Sequence, residues 1–308
     1  MLIKKIMHRI KREVSAKPEK LFPLRPALPL PSGITEEQLF EFVTTVRVAD
    51  APEQEMRAYG THDFRRFVYT LGLVNQLEGK CLELGANPYF TTMLLKRFTK
   101  LDLSLANYFG PLPAGLHTQD VAYTDATNGA KKTETFSYQH FNVENDPFPY
   151  ADAEFDVVIF AEIIEHLLND PCKVIREIKR VLKPGGTIIL TTPNVARLEN
   201  ITRLISGENI YDPYSGYGPY GRHNREYNRH ELVMLLQFEG FDVTEHFTAD
   251  VHENRAAAFA DLNHLKSKLD YRKDDLGQYI FLKAKNASPG PEKVPSWLYR
   301  SLPADRLE

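Results

Sequence analysis

From Lys80 onward, short apolar runs alternate with helical patterns, and this alternation limits the possible folds more than any other feature of the chain. The runs are KCLEL, LDLSLAN, TFSYQHFNV, FDVVIF and GTIILTT, with TTMLLKRFT and PCKVIREIKRVLKPGG between them. The runs have strand length, and the intervening segments space apolar residues as a helix does. Such alternation predicts a parallel sheet with helices on both faces. The second helical segment closes on Pro-Gly-Gly, a helix stop signal. RHELVMLLQFEG predicts a further helix, and FDVTEHFTA and GQYIFLKAK two last strands, with a helical stretch near residues 255–270 between them. The expected class is α/β, with seven strands in one mostly parallel sheet.

Ahead of the sheet, Thr35 and two following glutamates mark a helix start in Ile34 to Leu39, and DFRRFVYTLGLVNQL, residues 63–77, marks another helix. PLRPALPLPSG, residues 23–33, holds four prolines and predicts an extended linker. Before it, MLIKKIMHRIKREV spaces Ile3, Ile6, Met7, Ile10 and Val14 at helical intervals, with Lys4, Lys5, Arg9, Lys11 and Arg12 between. That pattern suits an amphipathic helix lying on a membrane surface, or one packed on its own domain or a partner. Residues 1–33 are thus expected to be a basic helix and linker. Residues 34–285 form the main domain, with N-terminal helices in 34–79 and an inserted lid in 195–228, and residues 286–308 form a loosely attached tail.

The lid expectation comes from SGENIYDPYSGYGPYGRHNREY, residues 206–227, too irregular for an element and too long for an ordinary connection. Its Tyr211, Tyr214, Tyr217 and Tyr220 offer flat faces with hydroxyl handles, suited to stacking on sugar rings or bases, or to packing the lid's own core. Composition removes several function classes. The 308 residues are 43% hydrophobic, enough for a sizeable core, and the net charge of −3 supplies no general basic field for nucleic acid. Cys81 and Cys172 are too few for a disulfide framework and spaced unlike a zinc site, which points to a reducing, cytoplasmic setting. No run reaches the roughly 18 to 20 apolar residues of a membrane span, so any membrane contact would be peripheral, through residues 1–14 at the inner face.

CLELGANPYF, residues 81–90, falls where the first strand turns into the first helix, the place where open α/β sheets bind nucleotides. A pyrophosphate cradle needs several glycines so that amides can approach the phosphates, and only Gly85 is present; the Gly-Lys-Ser/Thr of a phosphate loop is missing too. A phosphate-bearing dinucleotide is therefore disfavoured. The strand-end acid Glu83 instead suits a ligand with an ammonium group beside its nucleoside, which a carboxylate can hold directly or through water.

FAEIIEHLLNDP, residues 160–171, carries Glu162, Glu165 and His166 just after the fourth run. On a helix, spacings of three and four aim all three side chains from one face, as chelation requires. Carboxylates and an imidazole suit Mg²⁺, Mn²⁺, Zn²⁺ or Fe²⁺, and three ligands leave room for a fourth; His223 in GRHNREY is the candidate. The alternative is a metal-free general base, His166, with the glutamates as supports.

The order of these segments resembles the class I methyltransferases that use S-adenosylmethionine, over about residues 80–285. ELGANPYF resembles their first motif, with Asn87-Pro88 in place of later glycines, and VLKPGGTIILTTPN resembles the stretch through their fifth strand. The resemblance implies a Rossmann-like fold and a cofactor site built from Glu83, Gly85, Ala86, Asn87, Asn107, Asn142, Val143 and Glu162. Asn107 falls where an acid normally takes the ribose hydroxyls, and Asn142 and Val143 would face the adenine. Glu165, His166 and His223 become candidate catalytic residues, and Glu162, Glu165, His166 and His223 candidate ligands for Mg²⁺ or Mn²⁺. Glu-x-x-Glu-His with a later His is similar to the small-RNA terminal 2′-O-methyltransferases, where all are ligands of one metal. Ubiquinone-pathway and glycan O-methyltransferases carry similar runs, with a segment resembling HNREY. The resulting expectation is O-methyl transfer to a sugar hydroxyl of a bacterial glycan or glycan precursor, with RNA 3′ ends and quinone-like small molecules as alternatives.

Overall fold

The computed structural model describes residues 22, 25–49, 51–125, 129–213 and 218–298. The expectations for residues 1–14, Tyr214 and Tyr217 lie outside them. Thr35 caps α1 (Glu36–Val43): its hydroxyl accepts from the Gln38 amide while the Gln38 side chain accepts from the Thr35 amide. This reciprocal box satisfies two donors that a helix start leaves open. β1 (Arg47–Val48), α2 (Glu53–His62) and α3 (Phe64–Val74) follow. Then come β2 (Glu78–Leu84), α4 (Phe90–Phe98), β3 (Lys100–Asn107), β4 (Gly115–Thr124), β5 (Lys131–His140) and β6 (Phe155–Ala161). The chain continues through α5 (Pro171–Val181), β7 (Leu182–Pro193), α6 (Leu198–Ser206), α7 (Arg229–Phe238), β8 (Phe241–Ala249), α8 (Leu262–Leu269) and β9 (Tyr279–Asn286).

The α/β class holds, but among the described residues the sheet has nine strands and is mixed, in the order β1-β4-β5-β3-β2-β6-β7-β9-β8. β5, β3, β2, β6 and β7 run parallel, while β4 with β1, and β9 with β8, pair antiparallel at the two flanks. The strand count of seven is corrected by the short β1 and by β4, which forms a hairpin with the expected β5 in a register that runs from Gly115↔His140 to Thr124↔Lys131. GLHTQDVAYT has no apolar run, because only Val121 and Tyr123 of its inward positions are buried hydrophobics. The helix expected to close on Pro-Gly-Gly ends earlier, at Val181, and those residues lead into β7.

Successive residues of the central strands enter two different cores. Cys81, Val157 and Ile189 join one with Phe67, Val68 and Leu94, while Leu82, Val158 and Ile188 join the other with Ile175, Ile178 and Leu235. Strands covered on both faces need apolar side chains at every position, which is why they read as unbroken runs. α5 starts cleanly, with Asp170 accepting from the Cys172 and Lys173 amides and Pro171 at the first position.

The segment after β9, expected to be loose, packs back on the domain. Val294 and Leu298 are buried, and Arg176 of α5 donates to the Glu292 and Lys293 carbonyls. The same guanidinium grips both oxygens of Glu239, at 2.8 and 2.9 Å, and Glu239 is 0% exposed. At the other end, Phe22 packs with Leu198, Ala256 and Leu276. No helix among the described residues is long and apolar enough to cross a membrane.

The chain leaves β2 for β3 on one side and later crosses to β6 on the other. The strand order therefore reverses at β2, and a crevice opens at the carboxyl ends of β2, β3 and β6.

Candidate functional site

Five of the residues expected to hold a cofactor line this crevice: Gly85, Asn107, Asn142, Val143 and Glu162, around a cavity of about 160 Å³. Gly85 has φ 70 and its amide bonds the Ala106 carbonyl, so the turn out of β2 is left-handed; a Cβ there would sit 3.0 Å from Ile163 Cδ1. Only glycine takes that conformation without strain.

Glu83, Ala86 and Asn87, also expected to hold the cofactor, do not line this cavity. Strand alternation turns Glu83 beneath α4, where it is 3% exposed and accepts from the Thr92 hydroxyl at 2.7 Å. Burial raises its carboxyl to about 8. Ala86 is buried in the core, and Asn87 is committed to the neighbouring strands, its amide donating to Asn107 Oδ1 and its side chain to Gln119 Oε1. Asn107 then donates to the Tyr89 hydroxyl, so both ends of its amide have partners within the protein. Asn142 Oδ1 accepts from the Glu144 and Asn145 amides and holds the turn that presents Val143.

Tyr108 and Ile163 are among the lining residues that had not been expected there. Tyr108, directly after β3 and 43% exposed, stands edge-on to Tyr220, their centroids 5.8 Å apart. Ile163 supplies the wall against Gly85. An aromatic residue at a strand's carboxyl end was the available signal for Tyr108. Arg66, from α3, lies 4.0 Å from Glu162, and no local pattern announced that contact.

The stretch after β6 is not a helix. Glu162 has φ 56, and a short 3₁₀ turn follows at Ile164–His166. The left-handed residue swings Glu162 away from its expected companions, and its carboxylate accepts from the Thr191 hydroxyl at 2.7 Å. The expected four-ligand set is thereby corrected. Among the described residues Glu165, His166 and His223 do converge, with one candidate ligand atom from each lying within 4.8 Å of the others.

The two imidazoles are oriented alike. His166 Nδ1 lies 2.9 Å from the Arg222 carbonyl, which can only accept, so Nδ1 carries the proton and Nε2 is the available nitrogen. His223 Nδ1 bonds Glu226 Oε1 at 2.9 Å, and the two rings sit 5.1 Å apart. Glu165 Oε2 accepts from the Thr192 hydroxyl, while Oε1, 3.8 Å from His166 Nε2, is buried without a hydrogen-bond partner. Burial raises the Glu165 carboxyl to about 7 and lowers His166. Burial alone would lower His223 as well, but the Glu226 hydrogen bond and the charges of Glu165 and Asp212 outweigh it and bring His223 to about 8. The loop carrying His223 is stitched to this turn: the Asn224 and Arg225 amides donate to the Glu165 carbonyl, and Asn224 Nδ2 to the His166 carbonyl.

His166 faces the first cavity, and His223 faces a second cleft of about 430 Å³ that also takes in Arg197, Arg203, His252, Arg255 and Tyr279. The histidine pair stands between the two.

The sequence model of a family described as "Methyltransferase domain" matches residues 113–190, a stretch that includes the Glu162–His166 turn. A "probable S-adenosylmethionine-dependent methyltransferase" of Mycolicibacterium smegmatis is 34% identical over 126 residues, 41% of this chain and 42% of the relative. The mitochondrial ubiquinone biosynthesis O-methyltransferase of Dictyostelium discoideum is 28% identical over 128 residues, 42% of this chain and 35% of the relative. The matches thus span less than half the length of these curated relatives. Among solved structures, phosphoethanolamine N-methyltransferase 2 of Haemonchus contortus with S-adenosyl-L-methionine is similar over 73% of this chain and 53% of that one, at 14% identity and a TM-score of 0.43, a likeness too loose to build on. Over part of its length the chain is thus similar to S-adenosylmethionine-dependent methyltransferases.

Proposed function

We propose that the chain transfers the methyl group of S-adenosylmethionine, held in the Gly85 cavity, to a sugar hydroxyl of a bacterial glycan or glycan precursor presented from the second cleft. The observation that carries this reading is the Glu165–His166–His223 cluster standing between the two cavities. The sulfonium is already activated, so the protein has to align the hydroxyl and receive its proton. His166 is held in the tautomer that leaves the Nε2 lone pair available. As the new O–CH₃ bond forms and the S–CH₃ bond breaks, Nε2 takes the hydroxyl proton, leaving S-adenosylhomocysteine and an imidazolium. Charged and hydrogen-bonding groups dominate the second cleft, which favours a polyhydroxyl acceptor over an apolar quinone. The net charge of −3 gives an RNA backbone little to bind.

The test is methyl transfer from labelled S-adenosylmethionine to a panel of glycan precursors, a quinol and oligoribonucleotides, beside calorimetry with S-adenosylhomocysteine. Absence of cofactor binding rejects methyl transfer. Product from the quinol or RNA alone rejects the sugar acceptor.

A second reading adds a divalent ion. The unpartnered buried oxygen of Glu165 and the two Nε2 atoms fit a two-imidazole, one-carboxylate donor set, and the Nδ1 bonds to Arg222 and Glu226 are the outer support such ligands need. Mn²⁺ suits two imidazoles better than Mg²⁺ does, and when bound it would polarise the acceptor oxygen. Mn²⁺ titration followed by paramagnetic resonance is expected to show a bound ion that is lost in Glu165→Gln. An unchanged free-ion signal removes the metal and leaves His166 as the base alone.

A further inference from the structure

The second cleft sets Arg197, Arg203, Arg255 and His223 beside Glu199, Asp212, Glu226 and Glu253, and the pairing between them is uneven. Glu226 is taken by Arg197 and His223, Asp212 lies against the His223 amide and ring, and Glu199 accepts from the Arg255 amide and Gln278 Nε2. Among the described residues, the guanidiniums of Arg203 and Arg255 have no carboxylate within ion-pair distance; on the other side, only the exposed Glu253 lines the cleft uncommitted. Arg203 lies over the Phe259 ring at 5.0 Å, and the exposed Arg255 caps the short turn Ala256–Ala258 that ends at Phe259, so both line the same cleft. A guanidinium with no carboxylate partner keeps its fork free for the oxygens of a carboxylate or phosphate.

We propose that the acceptor is acidic, with a carboxylate or phosphate group seated at Arg203 and Arg255 while its hydroxyl reaches the histidine pair. The proposal rests on the methyl-transfer reading and narrows its acceptor to uronic-acid-type sugars or sugar phosphates. The anion also sets which hydroxyl is methylated, because it pins one end of the acceptor while the other meets Nε2.

The test is calorimetric binding of glucose, glucuronate and glucose 6-phosphate to the full chain loaded with S-adenosylhomocysteine. At least one of the two anions is expected to bind about tenfold or more tighter than glucose, as charged hydrogen bonds provide. Which of the two it is separates carboxylate from phosphate. The double variant Arg203→Gln/Arg255→Gln should lose that preference while keeping its affinity for S-adenosylhomocysteine, and the single variants repeat the measurement if the double one unfolds. Equal binding of all three sugars, no binding of either anion, or a preference that survives in the variants overturns the proposal. Sugar binding is measured separately from cofactor binding, so a protein that prefers the anions but ignores S-adenosylhomocysteine defeats the methyl-transfer reading instead.

Discussion

Replacing His166 by alanine is expected to lower methyl-transfer turnover by about 10²- to 10⁴-fold, the usual contribution of a positioned general base. Affinity for S-adenosylhomocysteine should stay within about twofold, because the imidazole touches only one edge of a cavity whose other walls come from β2, β3 and the turn after β5. The variant gives up the Nδ1 bond to the Arg222 carbonyl but keeps the main-chain ties of that loop. The loop bearing His223 is tied to the main-chain carbonyls of Glu165 and His166, and alanine keeps both carbonyls. Single-turnover kinetics on the preferred acceptor, with calorimetry on the same protein, is the measurement. Near-normal turnover rejects His166 as the proton acceptor.

Arg176→Ala is expected to destabilise the fold by about 3–5 kcal/mol, the range found when one partner of a buried ion pair is removed. Glu239 is 0% exposed and both its oxygens face the guanidinium, so alanine leaves a buried carboxylate with its chief partner gone. The Glu292 and Lys293 carbonyls lose their donor in the same change, which frees the segment after β9 from α5. Urea unfolding measures the loss, and Arg176→Ala/Glu239→Gln should recover part of it by removing the stranded charge. A loss below about 1 kcal/mol, ordinary for a surface change, contradicts this account.

The central sheet was legible in the sequence because its strands are buried on both faces, so Cys81-Leu82 and Val157-Val158 read as apolar runs whichever core each side chain enters. β4 was not legible. Its inner positions include His117 and Gln119 while its outer ones include Leu116 and Ala122, so the alternation carries little hydrophobic contrast. At the site, the Gly85 turn and the meeting of His166 with His223 followed from spacing and residue type. The places of Glu83 and Glu162 did not, for different reasons. Glu83 obeys the two-residue period of its strand, which points it under α4 and away from the crevice. Glu162 breaks the helical period at one left-handed residue, a conformation that nothing about a glutamate announces. Arg66 reaches Glu162 only through tertiary packing, beyond the range of any local pattern.

The stitching of residues 224 and 225 to the Glu165 carbonyl also bears on traffic through the enzyme. The root of the lid is bonded to the turn after β6, so the wall between the two cavities is built from both. Under the proposed reaction, the nucleoside product leaves past Tyr108 and Tyr220, and the methylated product leaves past Arg203 and Arg255. Two exits on opposite sides of a fixed partition impose no order on departure. Under the same proposal, either product clears first, and a spent nucleoside is replaced without passing the acceptor's exit.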